Sequence, residues 1–310
     1  MLARPNSGQP LVSVVLPVRN GEQWLEESLQ SIKDQTFSNF EVVVVDDHST
    51  DHSMQVVRDM NLRNLRIVRG RGEGLATALS AGISAAKGAL IARQDQDDVS
   101  SPVRFERQVD FLSTNPDYVA CGSAAWLFGE TFGQPRVLKA PESDASIRLN
   151  LLIRNPMVHS SVMMVKKAVE SVGGYQSPSN MAYPEDYSLW SRLAKAGKLA
   201  NLPTPLVHYR HDASGSIMSD FGPVVARAAA DISIENVTAL LGSSEVDANA
   251  QELLAMLHMR HRRISPVEAR QLLMLLFRIR SRFPLWMREG WPTGTFTKVP
   301  FWIIKKPRHH

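Results

Sequence analysis

The chain has 310 residues, 44% apolar and 21% charged, so it can bury a substantial core and is neither a disordered tail nor a fibrous repeat. Its single cysteine, Cys121, excludes a disulfide framework and any multi-cysteine zinc site, and points to a reducing compartment, the cytoplasm by default. The net charge of +4 is unevenly spread: from Arg260 onward 12 Lys/Arg stand against Glu268 and Glu289, whereas the first 259 residues carry 23 Lys/Arg against 29 acids. An acidic body with a basic, Trp-bearing end argues against nucleic acid and fits an anionic membrane surface. The first ten residues lack the apolar run of a secretory signal, and residues 272–277, the longest apolar stretch near the C-terminus, fall far short of the ~20 a membrane span needs.

Residues 11–18, LVSVVLPV, read as a buried parallel strand, followed by turn chemistry at Arg19-Asn20-Gly21. Over 22–33, Trp24, Leu25, Leu29 and Ile32 recur at helical spacing. Residues 40–45, FEVVVV, give a second buried strand, stopped by six polar residues from Asp46 to Asp51. Ser49 or Thr50 is placed to cap the helix that runs through Met54, Val57 and Met60. A short strand over 65–68, a Gly-rich loop over 70–74, a small-residue helix over 75–86 and a strand over 89–92 follow. Asp95-Gln96-Asp97-Asp98 then precedes Ser100-Ser101-Pro102, which opens another helix. Such β-α alternation predicts a mainly parallel sheet covered on both faces, with its ligand site beyond the carboxyl ends of the strands. Further on, strands are expected over 118–126 and 155–165 and a helix over 186–196; from Asp220 the chain is largely helical, with a soft boundary near Met218.

Four groups of residues carry chemistry. Asp95 and Asp97, flanking one residue at a strand end, can converge on a hard divalent cation while leaving positions open for phosphate oxygens; an acidic turn capping the next helix is the plain alternative. Asp46 and Asp47 end the second strand, where a carboxylate can accept from a ribose hydroxyl or a base N–H, or simply cap a helix. Glu185-Asp186 opens a helix anchored by Leu189, Trp190 and Leu193, and either complements the helix dipole or supplies a general base. In 206–212, LVHYRHD, either His208 or His211 can complete a metal site and Arg210 can face phosphate. The first turn has no Gly-x-Gly-x-x-Gly and the chain no Walker loop, which disfavours NAD binding and ATP hydrolysis of that type.

Taken in order, VSVVLPVRNG, SIKDQTFSNFEVVVVDDHSTD, IARQDQDDVSSPVRFERQV and PEDYSLWSRLAKAG resemble the family-2 inverting nucleotide-sugar glycosyltransferases, over about residues 11–215. The resemblance implies an α/β glycosyltransferase A fold: a mainly parallel central sheet flanked by helices, with a nucleotide-binding half over about 11–115 and an acceptor half over about 116–218. A helical, basic C-terminal extension, 219–310, lies outside it. It implies that Pro17, Val18, Arg19 and Asn20 hold the nucleoside, with Asp47 reading the base. It further implies that Asp95 binds ribose, that Asp97 with Asp98 binds Mn²⁺ or Mg²⁺ under the donor diphosphate, and that Asp186 is the catalytic base. His211 is a candidate further metal ligand, and Arg93 or Arg71 replaces the basic phosphate contact that relatives carry where this chain has Ala78-Leu79-Ser80-Ala81-Gly82. A UDP-sugar is the favoured donor, and a glycan or lipid-linked glycan the expected acceptor.

Outside the resemblance, Leu272, Leu273, Leu275, Leu276, Phe277, Ile279 and Phe283 alternate with Arg278, Arg280 and Arg282 and precede Trp286, Trp291 and Trp302. This stretch fits a membrane interface or a helix packed on protein equally well. Two competing readings are a nucleotidyltransferase, disfavoured by the lack of a Gly- and Lys-rich triphosphate loop, and a non-catalytic scaffold of the same fold.

Overall fold

The computed structural model describes residues 9–129, 134–176, 184–211, 217–258 and 265–282. Its first half alternates as expected: β1 (Val12–Val18), α1 (Leu25–Lys33), β2 (Phe40–Asp46), α2 (Ser53–Asp59), β3 (Leu65–Arg69), α3 (Leu75–Ala85) and β4 (Leu90–Arg93). A two-residue strand β5 (Val99–Ser100) and α4 (Arg104–Thr114) follow. The second half comprises β6 (Tyr118–Phe128), β7 (Arg136–Leu138), α5 (Asp144–Asn150), β8 (Met163–Val165), α6 (Lys166–Ser171), α7 (Glu185–Ala196) and β9 (Lys198–Arg210). Three helices close the described chain: α8 (Ile217–Leu241), α9 (Ala248–His258) and α10 (Pro266–Arg282).

All nine strands join one sheet in the order β3-β2-β1-β4-β8-β6-β9-β5, with β7 beside β6. The long ladders, β1 with β2 and β4, β2 with β3, and β6 with β9, are parallel; the antiparallel ones run only two or three residues. Alternation along β1 sends Val12, Val14, Leu16 and Val18 into an apolar layer with α1 and α4, while Val15 packs on the opposite face with α3 and α7. A sheet covered on both faces needs near-continuous apolar strands, which is why β1 and β2 read so clearly. The small residues of α3 serve a close approach: a side chain at Gly82 would meet Val15 Cγ1 at 2.5 Å and Val45 Cγ2 at 3.0 Å.

Three expectations change. The strand expected over 155–165 is confined to Met163–Val165, because Pro156 interrupts the segment and His159–Ser161 form a 3₁₀ turn. Neither Ser49 nor Thr50 caps α2; Asp51 Oδ1 takes the Ser53 N–H at 3.0 Å and the Ser53 hydroxyl at 2.6 Å instead. A thirteen-residue strand, β9, occupies 198–210, where no element was expected.

One face of α10, Leu272, Leu275, Leu276 and Ile279, is buried with Val237 and Leu241 of α8, Leu253 and Leu254 of α9, and Leu149 and Leu152. Packing on protein therefore accounts for that face. The opposite face stays open, with Val267 65%, Met274 58% and Phe277 67% exposed. Phe283 and the three tryptophans Trp286, Trp291 and Trp302 lie outside the described residues. No described helix is long and apolar enough to cross a membrane.

Candidate active site

The strand ends gather three loops into one rim. Pro17 pairs with Val45 and Val18 with Asp46, both buried inside β1, and the Val18 side chain joins the apolar layer. Arg19 and Asn20, which follow, are exposed. Asn20, in the left-handed region at φ 50°, accepts the Thr50 N–H at 2.8 Å, and Gly21 N–H reaches Ser53 Oγ at 2.8 Å. Gln96 stitches this turn to the acidic loop, accepting the Arg19 N–H at 2.9 Å and donating to Arg19 O at 3.3 Å.

Asp47 is 3% exposed and takes two amides of the Gly-rich loop, Gly72 N–H at 2.8 Å and Gly74 N–H at 3.3 Å. Any side chain at Gly70 would come within 2.6 Å of its Oδ1. Asp47 thus organises loop 70–74, a role invisible in the sequence because the partners lie 25 and 27 residues away. Each carboxylate oxygen keeps acceptor capacity for a ligand.

At the end of β4, Arg93 is 1% exposed and forms an ion pair with Asp95. Burial, then the charge of Asp95, lifts the Asp97 carboxyl to about 6. Asp98 turns inward: it is 1% exposed, its Oδ1 accepts the Arg210 backbone N–H at 2.8 Å, and burial followed by Asp95 and Asp97 raises its pKa well above the carboxylate range. Arg210 is sandwiched between Trp24 at 3.8 Å and Phe128 at 4.3 Å, donates to Asp97 O at 3.0 Å and to Glu27 Oε2 at 2.6 Å. It braces the acidic loop and is not free to face phosphate. His211 is exposed at the end of β9, its backbone N–H on Phe128 O at 2.9 Å. Among the described residues no three His, Cys, Asp or Glu side chains stand together as a ready-made metal site. Asp98 Oδ1 serves Arg210 while its Oδ2 is buried without a hydrogen-bond partner, and a cation here would also draw on Asp95, Asp97 and oxygens that a substrate brings.

Glu185 and Asp186 open α7. Asp186 Oδ1 accepts the Tyr187 N–H at 2.7 Å and Oδ2 the Asn155 side-chain amide at 2.6 Å. Burial raises its pKa, and these two donors oppose the rise. Glu185 is pushed to about 8 by burial and then by Asp186, with its own backbone N–H opposing the rise. Glu185, at about 8, holds a proton near neutral pH, while Asp186 is raised by burial and lowered by its two donors. His159 stands at 3.8 Å from Glu185 and 2.7 Å from the Tyr175 hydroxyl, and burial, then Arg93, keeps it neutral.

One electrostatic neighbourhood joins the two acidic clusters. The Arg93 charge acts on Asp97, Glu185 and Asp186 alike, and Tyr209, raised chiefly by burial, feels Asp98, Asp95, Asp186 and Asp97. Asn155, His159, Tyr175 and Tyr209 are site residues that the motifs alone did not point to; only the polar Asn155 and His159 within an otherwise apolar run gave any signal.

The raised Glu185 has a consequence for stability. Its pKa is about 8 in the fold against an ordinary 4.5, so its contribution is fully present below about 4.5 and is lost as pH rises through about 8. Thermal unfolding of the metal-free protein should show Tm falling across that window, and Glu185→Gln should flatten the fall; an unchanged slope would show Glu185 to be ordinary.

A doubly covered α/β sheet whose strand ends carry paired carboxylates, with a second acidic pair opening α7, is the framework of a group-transfer enzyme. The chain belongs to Glycosyl transferase family 2, whose model matches residues 13–173, and it is a glycosyltransferase. It is 35% identical over 206 residues to the amylovoran biosynthesis glycosyltransferase AmsE of Erwinia amylovora, covering 64% of this chain and 76% of that one. Of the solved structures, S. aureus TarS 1–349 in complex with UDP-GlcNAc matches with TM-score 0.62 at 18% identity, over 89% of this chain and 82% of that one. The mannosyltransferase PcManGT of Pyrobaculum calidifontis, in complex with GDP-Man and Mn²⁺, matches with TM-score 0.56 at 16% identity, over 96% and 86%. The glycosyltransferase A fold expected from the motifs is the fold observed.

Proposed function

We propose that this glycosyltransferase moves a sugar from a nucleoside-diphosphate donor, a UDP-sugar by preference, to a hydroxyl of a glycan acceptor, with inversion at the anomeric carbon, in cell-surface polysaccharide synthesis. The observation that carries the reading is the meeting of the Asp95–Asp98 loop with Glu185-Asp186 around Arg93 and Tyr209. The AmsE likeness supports a polysaccharide acceptor, and the nucleotide-sugar complexes of TarS and PcManGT support the donor class.

In this reading Asp186 takes the proton of the acceptor hydroxyl as that oxygen attacks the anomeric carbon. The bond to the diphosphate oxygen breaks, and the nucleoside diphosphate departs with the electron pair. No covalent enzyme intermediate is required. The Arg19–Asn20 turn and Asp47 would hold the nucleoside, and protonated Glu185 keeps Asp186 the only base of the pair. The hard carboxylate oxygens of Asp95 and Asp97, with more negative charge on the loop than Arg93 offsets, suit Mn²⁺ or Mg²⁺, which when bound neutralises charge on the leaving diphosphate.

Residues 219–310 form the extension in this reading, and the open face of α10, with the exposed Arg270, would rest on an anionic membrane surface. Replacing both Met274 and Phe277 by Ser should lower co-sedimentation with phosphatidylglycerol vesicles; unchanged binding would remove the membrane from the proposal. For the donor, UDP with Mn²⁺ should raise Tm and give a calorimetric binding isotherm. A chain that binds no nucleoside diphosphate, with metal or without, is not this enzyme.

A further inference from the structure

Asn155 lies 31 residues before its partner in sequence, exposed on the otherwise largely buried segment that leads from α5 to the 3₁₀ turn, and its side chain is held at both ends. Its Nδ2 donates to Asp186 Oδ2 at 2.6 Å, and its Oδ1 accepts the Met157 N–H at 3.2 Å. Exchanging the amide oxygen and nitrogen would set an acceptor against a carboxylate and a donor against an N–H, so the two contacts fix one orientation. The segment is itself tied down. Leu151 O accepts from the Tyr187 hydroxyl of α7 at 2.7 Å and from Asn236 Nδ2 of α8 at 2.7 Å, Leu152 O accepts from Ser233 of α8, and Pro156 O accepts from Asn201 of β9 at 3.3 Å. These bonds tie the segment to its neighbours at buried positions, and α8 contributes two of them.

Among the described residues, Asn155 donates to one oxygen of Asp186 and the Tyr187 N–H to the other. We propose that Asn155 is a positioning residue for the base: it fixes the Asp186 carboxylate in the attitude that receives the acceptor's proton and holds it ionised beside Glu185. The inference rests on Asp186 being the base in the proposed reaction. The other groups that act on Asp186 are Glu185 on α7, Arg93 on β4, Tyr175 after α6 and Tyr209 on β9. All four remain in an Asn155 variant, so a comparison of pH profiles isolates the amide.

The test is sugar transfer by the full chain between pH 5 and 9, with donor affinity measured in parallel. Asn155→Ala should lower kcat by roughly ten-fold, as expected for loss of a hydrogen bond to a charged group. It should also move the acid limb of the kcat profile up by about one pH unit while leaving donor KM unchanged. Asn155→Asp keeps the size and the acceptor for Met157 N–H but sets a second carboxylate against Asp186, and should move the limb further; it decides the matter if the alanine variant does not fold. Wild-type profiles in both variants, alongside an inactive Asp186→Asn, would overturn the positioning role and leave the base assignment standing. Full turnover in Asp186→Asn would instead overturn the base assignment and this inference with it.

Discussion

Asp186→Asn is expected to cut turnover by about 10²- to 10⁴-fold, the range a positioned general base supplies, while UDP affinity stays near that of the wild type. The asymmetry follows from the placement of the residue. Asp186 sits at the start of α7 and takes its hydrogen bonds from Tyr187 and Asn155, not from the Arg19–Asn20 turn, the Gly-rich loop or the Asp95–Asp98 loop. The side-chain amide of an asparagine fills the same volume but cannot take a proton. Glu185 is a poor substitute: burial, the largest cause of its raised pKa, is unchanged in the variant, although the part due to the Asp186 charge is lost. The residual activity of the variant should therefore rise with pH as Glu185 ionises. Single-turnover transfer with saturating donor measures the loss. Equal loss of donor binding and transfer would place Asp186 in the nucleotide site instead.

How far the sequence carried the fold depends on how local each signal is. β1, β2 and β4 were legible because a strand buried on both faces must be apolar at every position, and no surface requirement dilutes the pattern. β9 was not, since Pro203 and Pro205 within it remove ladder donors; it survives beside β6 through register shifts on either side of Ala124. The stretch before β8 misled in the other direction, its Val158, Val162 and Met163 resembling a strand that Pro156 and the 3₁₀ turn preclude. The same contrast governs the site. Asp47, Asp95, Asp97 and Asp186 stand out because each abruptly ends or begins an apolar element. That Asp98 serves Arg210, 112 residues away, or that Asp47 gathers the glycine loop, depends on loops meeting in space and leaves no local trace.

Arg93→Met should be the most destabilising change at the rim, costing about 3–5 kcal/mol, the range for breaking a buried ion pair from one side. For a domain of this size that is a fall in Tm of roughly 10 °C. Arg93 is 1% exposed, so methionine can occupy much of its volume, and lost packing contributes little. What is lost is charge. Asp95 would stand without its partner, while Asp97, Glu185 and Asp186, all raised by burial and all lowered by Arg93, would rise further. One relief works the other way: Arg104, fully buried and depressed to about 9 by burial and then by Arg93, would regain a more ordinary pKa. Arg104 already donates to Gln94, Ser100 and the Arg93 carbonyl, so it cannot turn to Asp95 without breaking those bonds. The sign with pH is fixed by the carboxylates: their ionisation is what Arg93 offsets, so the variant's deficit should shrink toward pH 4 and grow toward pH 8. Adding Asp95→Asn to Arg93→Met should restore a large part of the loss, because the double variant removes the stranded charge as well as its partner. A variant with wild-type Tm at pH 8, or a double variant no more stable than the single, would show that Arg93 does not hold the acidic rim together.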